Sequence, residues 1–292
     1  MEPHRSSLDL GWGRVSVLEW TPPRIRRDVV LLHGGGVDSA ALSWGPLGSA
    51  LADAGYHVLA PDHPGWGRSA PAPWPLTQGR LVAYVGELVD AWGLDDYVIG
   101  GLSLGGGMTI GHLLGHPAGV SAAMLFGAYG LMDRQVRGWA GIPTHLLTGV
   151  MLRTGMLSAL TRSYARNRRL MADSLRALVR NPAERTPELL DAVMAEAARG
   201  TGLASFEKWQ RDQFGWFRLR TTYLDRLVDI DVPVLLVHGA RDTGVPLAYA
   251  REAARRLPRG QVLEVSDAGH WVQRDRPEVV TPAVLAFLDT LG

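Results

Sequence analysis

One pentapeptide constrains this chain more than any other segment: Gly101-Leu102-Ser103-Leu104-Gly105. It follows an apolar run, Asp96-Tyr97-Val98-Ile99-Gly100, and precedes a helix-like run from Gly106 to Gly115. A serine framed by glycines, where a strand turns directly into a helix, is the sequence form of a nucleophile elbow. Glycine fits two residues either side of the serine because the turn is too tight for bulky side chains. The hydroxyl is then held out of the sheet, at the positive end of the next helix. Gly and Ser are common residues, so the pentapeptide takes its meaning from what surrounds it.

What surrounds it alternates between strand and helix. Ser6 to Trp20 alternates apolar and polar residues, as a hairpin does. Val29-Val30-Leu31-Leu32 is a fully apolar run ending at His33-Gly34-Gly35-Gly36, the pattern of a buried parallel strand running into a loop. Helix is expected over Ala40 to Ala54, strand over His57 to Pro61, helix over Leu76 to Trp92 and strand over Ala122 to Phe126. From Tyr129 to Phe217 no convincing strand occurs. Helix-like runs cover Ile142 to Leu160, Tyr164 to Val179, Pro187 to Arg199 and Leu203 to Phe214. Alternation resumes with a strand at Val232 to Val237, a helix at Val245 to Leu257, a strand at Gln261 to Val265 and a helix at Pro277 to Leu291. The expectation is an α/β fold, a mainly parallel sheet flanked by helices. Residues 1–128 and 218–292 form its core, and residues 129–217 are a helical insertion too long for an ordinary loop.

Composition removes several function classes. At 292 residues and 46% hydrophobic, the chain can bury a sizeable core. A net charge of +1 gives no sign of a nucleic-acid groove or an acidic partner. The absence of cysteine excludes disulfides, thiolate metal sites and a cysteine nucleophile. The N-terminal residues lead into no apolar signal core, and no stretch is long enough for a membrane span. A cytoplasmic protein acting on a small molecule is the expectation, with a homodimer left open.

Cleavage of an ester-type bond needs a nucleophile, a base, an acid that orients the base, and donors for an oxyanion. A candidate for each lies just past a strand end, where ligands bind in open α/β sheets. Ser103 is the nucleophile. Asp242 follows the strand at Val232 to Val237, and His270 follows the strand at Gln261 to Val265. The backbone N–H groups of Gly35 and Leu104 are the oxyanion donors, and Gly36, Leu102 and Trp271 are the expected substrate contacts. No metal or cofactor is called for.

With these residues in place, the chain resembles the α/β-hydrolase superfamily over nearly its whole length. The resemblance rests on His33-Gly34-Gly35-Gly36, Asp62-His63-Pro64-Gly65-Trp66-Gly67-Arg68-Ser69, the elbow, His238-Gly239-Ala240-Arg241-Asp242 and Gly269-His270. It implies a cofactor-independent hydrolase with a helical cap and a Ser-Asp-His triad. His33-Gly34-Gly35-Gly36 and His270-Trp271 are similar to hydrolases that cleave carbon–carbon bonds in meta-cleavage products of aromatic rings. Those enzymes have asparagine before the nucleophile, where this chain has Leu102, and a cap arginine for the substrate carboxylate, for which Arg199 or Arg211 is the nominee. Epoxide hydrolases and haloalkane dehalogenases share the layout but have aspartate at the elbow.

Simpler roles compete at several positions. Asp242 can cap a helix and still serve catalysis. Asp133 lies several residues past a strand end and is a weaker choice of acid. His33 is expected to order its loop, and Asp62 to pair with Arg68. His112 and His116 are four apart on one helix face without a carboxylate to complete a metal site. Arg166-Asn167-Arg168-Arg169 suits a solvated face. An esterase, thioesterase or lactonase acting on a mostly apolar molecule is the first reading. A carbon–carbon hydrolase is the second, and a non-hydrolytic enzyme or ligand receptor on the same scaffold the third.

Overall fold

The computed structural model describes residues 1–136 and 138–292, the side chain of residue 164 aside. Two N-terminal strands, β1 (His4–Leu10) and β2 (Gly13–Trp20), form the expected hairpin. There follow β3 (Arg27–Leu32), α1 (Ala40–Asp53), β4 (Tyr56–Pro61), α2 (Gln78–Trp92), β5 (Tyr97–Leu102), α3 (Leu104–Gly115) and β6 (Val120–Phe126). Five helices come next: α4 (Gly141–Arg153), α5 (Met156–Arg166), α6 (Arg168–Leu178), α7 (Pro187–Arg199) and α8 (Thr201–Gln213). The chain closes with β7 (Val234–Gly239), α9 (Leu247–Arg256), β8 (Gly260–Val265), α10 (Val272–Asp275) and α11 (Pro277–Asp289).

The strands form one sheet in the order β1-β2-β4-β3-β5-β6-β7-β8. Only the hairpin departs from parallel pairing, with β2 antiparallel to β4. The central strands are apolar on both faces because both faces are covered. Val29 to Leu32 are entirely buried, as are Val98, Ile99 and Leu102. Trp44, Leu47 and Leu51 of α1 and Val284 and Phe287 of α11 belong to the core on one side of the sheet. Leu81, Tyr84 and Leu88 of α2 belong to the other, with Met108 of α3 and Ala250 of α9. Burying one such leucine contributes about 1.5–3 kcal/mol, so the two layers hold the strand ends in fixed register.

Two helical runs differ from their sequence pattern. Ile142 to Leu160 is divided into α4 and α5 at Gly155, whose φ of 76° ends the first helix. The run expected from Tyr164 starts afresh at α6, where the Asn167 side chain accepts the N–H groups of Arg169 and Leu170. Asp62 pairs with Arg5 of β1 at 2.8 Å, while Arg68 offers Asp62 only its backbone N–H, at 3.0 Å.

Candidate active site

Ser103 sits between β5 and α3 with φ 50° and ψ −113°, the one non-glycine residue at positive φ among those described. Such a conformation costs on the order of 1–3 kcal/mol and persists only where the surroundings enforce it. They do so by hydrogen bonds: the Ser103 N–H donates to Phe126 O at 2.9 Å, and its carbonyl accepts Gly107 N–H at 3.0 Å and Tyr129 N–H at 2.9 Å. The flanking glycines are required by close approach. A Cβ on Gly101 would lie 2.2 Å from the Gly105 carbonyl carbon, and one on Gly105 would lie 2.2 Å from Leu32 O. Both obstacles are backbone and cannot swing away. Gly105→Ala is expected to cost about 3 kcal/mol or more, read as a lowered urea midpoint or an insoluble product.

The predicted acid and base meet. His270 Nδ1 lies 2.8 Å from Asp242 Oδ2, and the other oxygen of Asp242 accepts the N–H groups of Gly244 at 2.7 Å and Val245 at 3.0 Å. Burial opposes charge on both side chains. Their mutual attraction and hydrogen bond outweigh it, raising His270 above the usual histidine value and lowering Asp242 below the usual carboxylate value. His238, buried behind them, donates from Nε2 to Val245 O at 2.8 Å, and burial lowers it below the usual histidine value. Asp133 is elsewhere, accepting the Tyr249 hydroxyl at 3.2 Å.

Ser103 and His270 both face a cavity of about 1230 Å³. Ser103 Oγ makes no hydrogen bond among the described residues; such contacts often tighten only when substrate binds. Gly34, Gly35, Gly36 and Trp271 also line the cavity, whereas Leu102 does not. The Leu102 side chain is fully buried in the sheet core against Gly34, so it is no substrate contact. Gly35 and Leu104 each keep a backbone N–H with no partner among the described residues. The remaining wall comes from the helices between β6 and β7, with Leu157, Met171, Leu175, Val193, Met194 and Phe206 giving it an apolar character. Neither Arg199 nor Arg211 lines it; they pair with Glu196 and Glu207 instead.

Three contributors carry no sequence signature. Asp38, fully buried, accepts Gly34 N–H and Ser39 N–H at 2.8 Å and the Ser43 hydroxyl, bracing the glycine loop. Asp275, also fully buried, accepts N–H groups from Gly269, Arg180 and Asn181, tying the His270 loop to the end of α6. Phe206 of α8 lies where any Cβ on Gly35 would fall, 2.3 Å from its ring carbon.

His33 and His63 stack at 3.9 Å beneath the glycine loop. His63 N–H donates to His33 Nε2 at 2.9 Å, so His33 is neutral, and burial holds it down to about 3. His112 meets the Tyr97 hydroxyl at 2.6 Å and is held to about 4 by burial; among the described residues no metal-binding cluster occurs. These histidines contribute stability fully above their unfolded value near 6.5 and lose it as pH falls toward 4 and 3. Asp38, raised by burial to about 7, runs oppositely: its contribution is complete below 3.8 and lost as pH rises through 7. Between pH 4.5 and 6 the unfolded chain binds more protons than the folded one, since several depressed histidines outnumber Asp38. As pH is lowered through that window, stability is expected to fall by about 1.4 kcal/mol per pH unit for each net proton, measured by urea titration at stepped pH.

Comparison with known proteins agrees with this architecture. The family model described as alpha/beta hydrolase fold matches residues 28–277. The chain is 30% identical to a pimeloyl-[acyl-carrier protein] methyl ester esterase of Aromatoleum aromaticum, over 87% of this chain and 94% of that one. It is also 30% identical to epoxide hydrolase A of Mycobacterium tuberculosis, over 90% of each. Among solved structures, a meta-cleavage product hydrolase from Pseudomonas fluorescens superposes with a TM-score of 0.79 at 20% identity, over 98% of each chain. With its mainly parallel sheet, its elbow between β5 and α3 and a family match spanning most of its length, this chain belongs to the α/β-hydrolase fold family.

Proposed function

We propose that the protein is a serine hydrolase that cleaves an ester, thioester or lactone of a mostly apolar small molecule through an acyl-enzyme on Ser103. The observation that carries this reading is the hydrogen-bonded Asp242–His270 pair opening onto the same apolar cavity as the strained Ser103. Ser103 Oγ attacks the carbonyl carbon as its proton passes to His270 Nε2. The oxygen that gains charge accepts hydrogen bonds from the N–H groups of Gly35 and Leu104. Asp242 keeps the proton on His270 Nδ1 and stabilises the imidazolium. His270 then gives the proton to the leaving alcohol or thiol, and a water, deprotonated by the same imidazole, releases the acid. The residues from Tyr129 to Phe217 act as the cap, and no metal or cofactor enters any step.

The cavity favours acyl transfer over the relatives' other chemistries. Ser103 supplies no carboxylate for an epoxide-opening ester intermediate. Arg199 and Arg211 do not line the cavity and pair with Glu196 and Glu207; the arginines that do line it are Arg162 and Arg166 of α5, so a charged substrate carboxylate would have to meet those. A panel of p-nitrophenyl esters, lactones and meta-cleavage diketones tests the reading. Medium-chain apolar esters should turn over best. Diketone turnover well above that of every ester would reject it in favour of carbon–carbon cleavage, and thermal-shift binding without any product would favour a receptor.

A further inference from the structure

Residues 134–172 contain seven arginines and no aspartate or glutamate. The same stretch is where apolar side chains face solvent. Among the described residues, nine of the fourteen large exposed hydrophobics lie within 136–160 or at 216 and 217. Trp139, just before α4, is 93% exposed, and Leu147 on α4 is 61% exposed, with Ile142 and Val150 beside it on that helix. Trp216 and Phe217 are 63% and 62% exposed. Their loop is bound to α4: Arg153 lies over the Trp216 ring at 4.4 Å and donates to Phe214 O at 2.9 Å, while Arg134 donates to Phe217 O at 2.8 Å. The α4 helix and this loop therefore bring exposed apolar side chains together in one region of the surface, with Arg134 and Arg153 among them.

Scattered exposed hydrophobics are ordinary; a face this concentrated marks an interaction surface. Two tryptophans and a phenylalanine bordered by arginine, with Asp133 beside Arg134 and Asp212 paired to Arg220 as the carboxylates near them in sequence, match the chemistry of an interface between water and an anionic bilayer. No helix among the described residues is long and apolar enough to cross a membrane, so the contact would lie in the interface plane. The next helix links this face to the chemistry. Leu160, Arg162 and Arg166 of α5 are exposed and also line the cavity that holds Ser103. We propose that the α4 face docks on an anionic lipid surface, presenting the α5 wall of the cavity to esters dissolved in the bilayer. The substrate half of this proposal rests on the serine-hydrolase reading; the docking half does not.

The test is co-sedimentation of the full chain, and of Ser103→Ala, with phosphatidylcholine vesicles that either lack or contain one third phosphatidylglycerol. Binding should rise about tenfold with the anionic lipid, fall at high salt and be equal in the two proteins. Tryptophan emission should shift to the blue on binding as Trp139 and Trp216 leave water. The variant carrying Trp139→Ser, Leu147→Ser and Phe217→Ser should lose about tenfold in binding while hydrolysing a soluble short-chain ester as the parent does. Binding that ignores lipid charge, a variant that binds undiminished, or retention by acidic protein with none by vesicles would overturn the proposal. Because binding is read in Ser103→Ala as well, its failure leaves the catalytic reading untouched, and failed catalysis leaves the docking result intact.

Discussion

The Ser103→Ala protein is expected to fold as the parent does and to lose kcat by about 10⁶-fold. Folding should survive because Ser103 Oγ makes no hydrogen bond among the described residues and the backbone strain is enforced by Phe126, Gly107 and Tyr129, not by the hydroxyl. Alanine occupies the same positive φ at similar cost. Activity should vanish because the other hydroxyls lining the cavity among the described residues, Ser158, Thr161 and Ser174, stand on α5 and α6 and not on the elbow at the start of α3. Thermal melts together with initial rates on the best ester separate the two effects. Equal melting temperature with full activity would remove Ser103 from the mechanism.

The second large effect is expected at Asp242. Asp242→Asn should lower kcat by about 10⁴-fold, because an amide can donate to Nδ1 and favour the tautomer with its proton on Nε2. The pH profile gives a separate signature. His270 must be neutral to act as base, so kcat/KM rises with pH through the histidine's folded value. That value lies above 6.5 in the parent because the Asp242 charge and hydrogen bond outweigh burial. Removing the charge leaves burial dominant, and the acid limb moves to lower pH. The linkage runs the same way: protonated His270 contributes stability below 6.5, lost as pH rises through the folded value, and Asp242→Asn forfeits it. A variant with unchanged acid limb would show that His270 titrates independently of Asp242.

Much of the scaffold was legible in the residues, for physical reasons. Val29 to Leu32 and Tyr97 to Leu102 are apolar on both faces because the sheet is covered on both, so their runs stand out without alternation. Ser103, Asp242 and His270 could be nominated because each follows a strand end by a short loop; the strand order places Asp242 against His270 and opens Ser103 and His270 onto one cavity. Other features depend on contacts that local pattern does not encode. Asp275 binds N–H groups 94 and 95 positions away, and an isolated aspartate gives no hint of that. Arg68 lies close to Asp62 in sequence, yet the turn between them presents its N–H, leaving the charge to Arg5. Leu102 adjoins the nucleophile, but strand geometry directs it into the core. Arg199 and Arg211 occupy helix faces whose nearest carboxylates are on their own helices. Helical periodicity marks which residues share a face, not which face meets the cavity.

The central claim is that Ser103 is the nucleophile, and active-site labelling tests it most directly. Incubation with a fluorophosphonate, followed by intact mass and peptide mapping, should give one adduct per chain on Ser103. The adduct should be absent in Ser103→Ala and form far more slowly in Asp242→Asn. An enzyme that turns over esters while Ser103 stays unlabelled, or whose turnover persists in Ser103→Ala, would contradict the account.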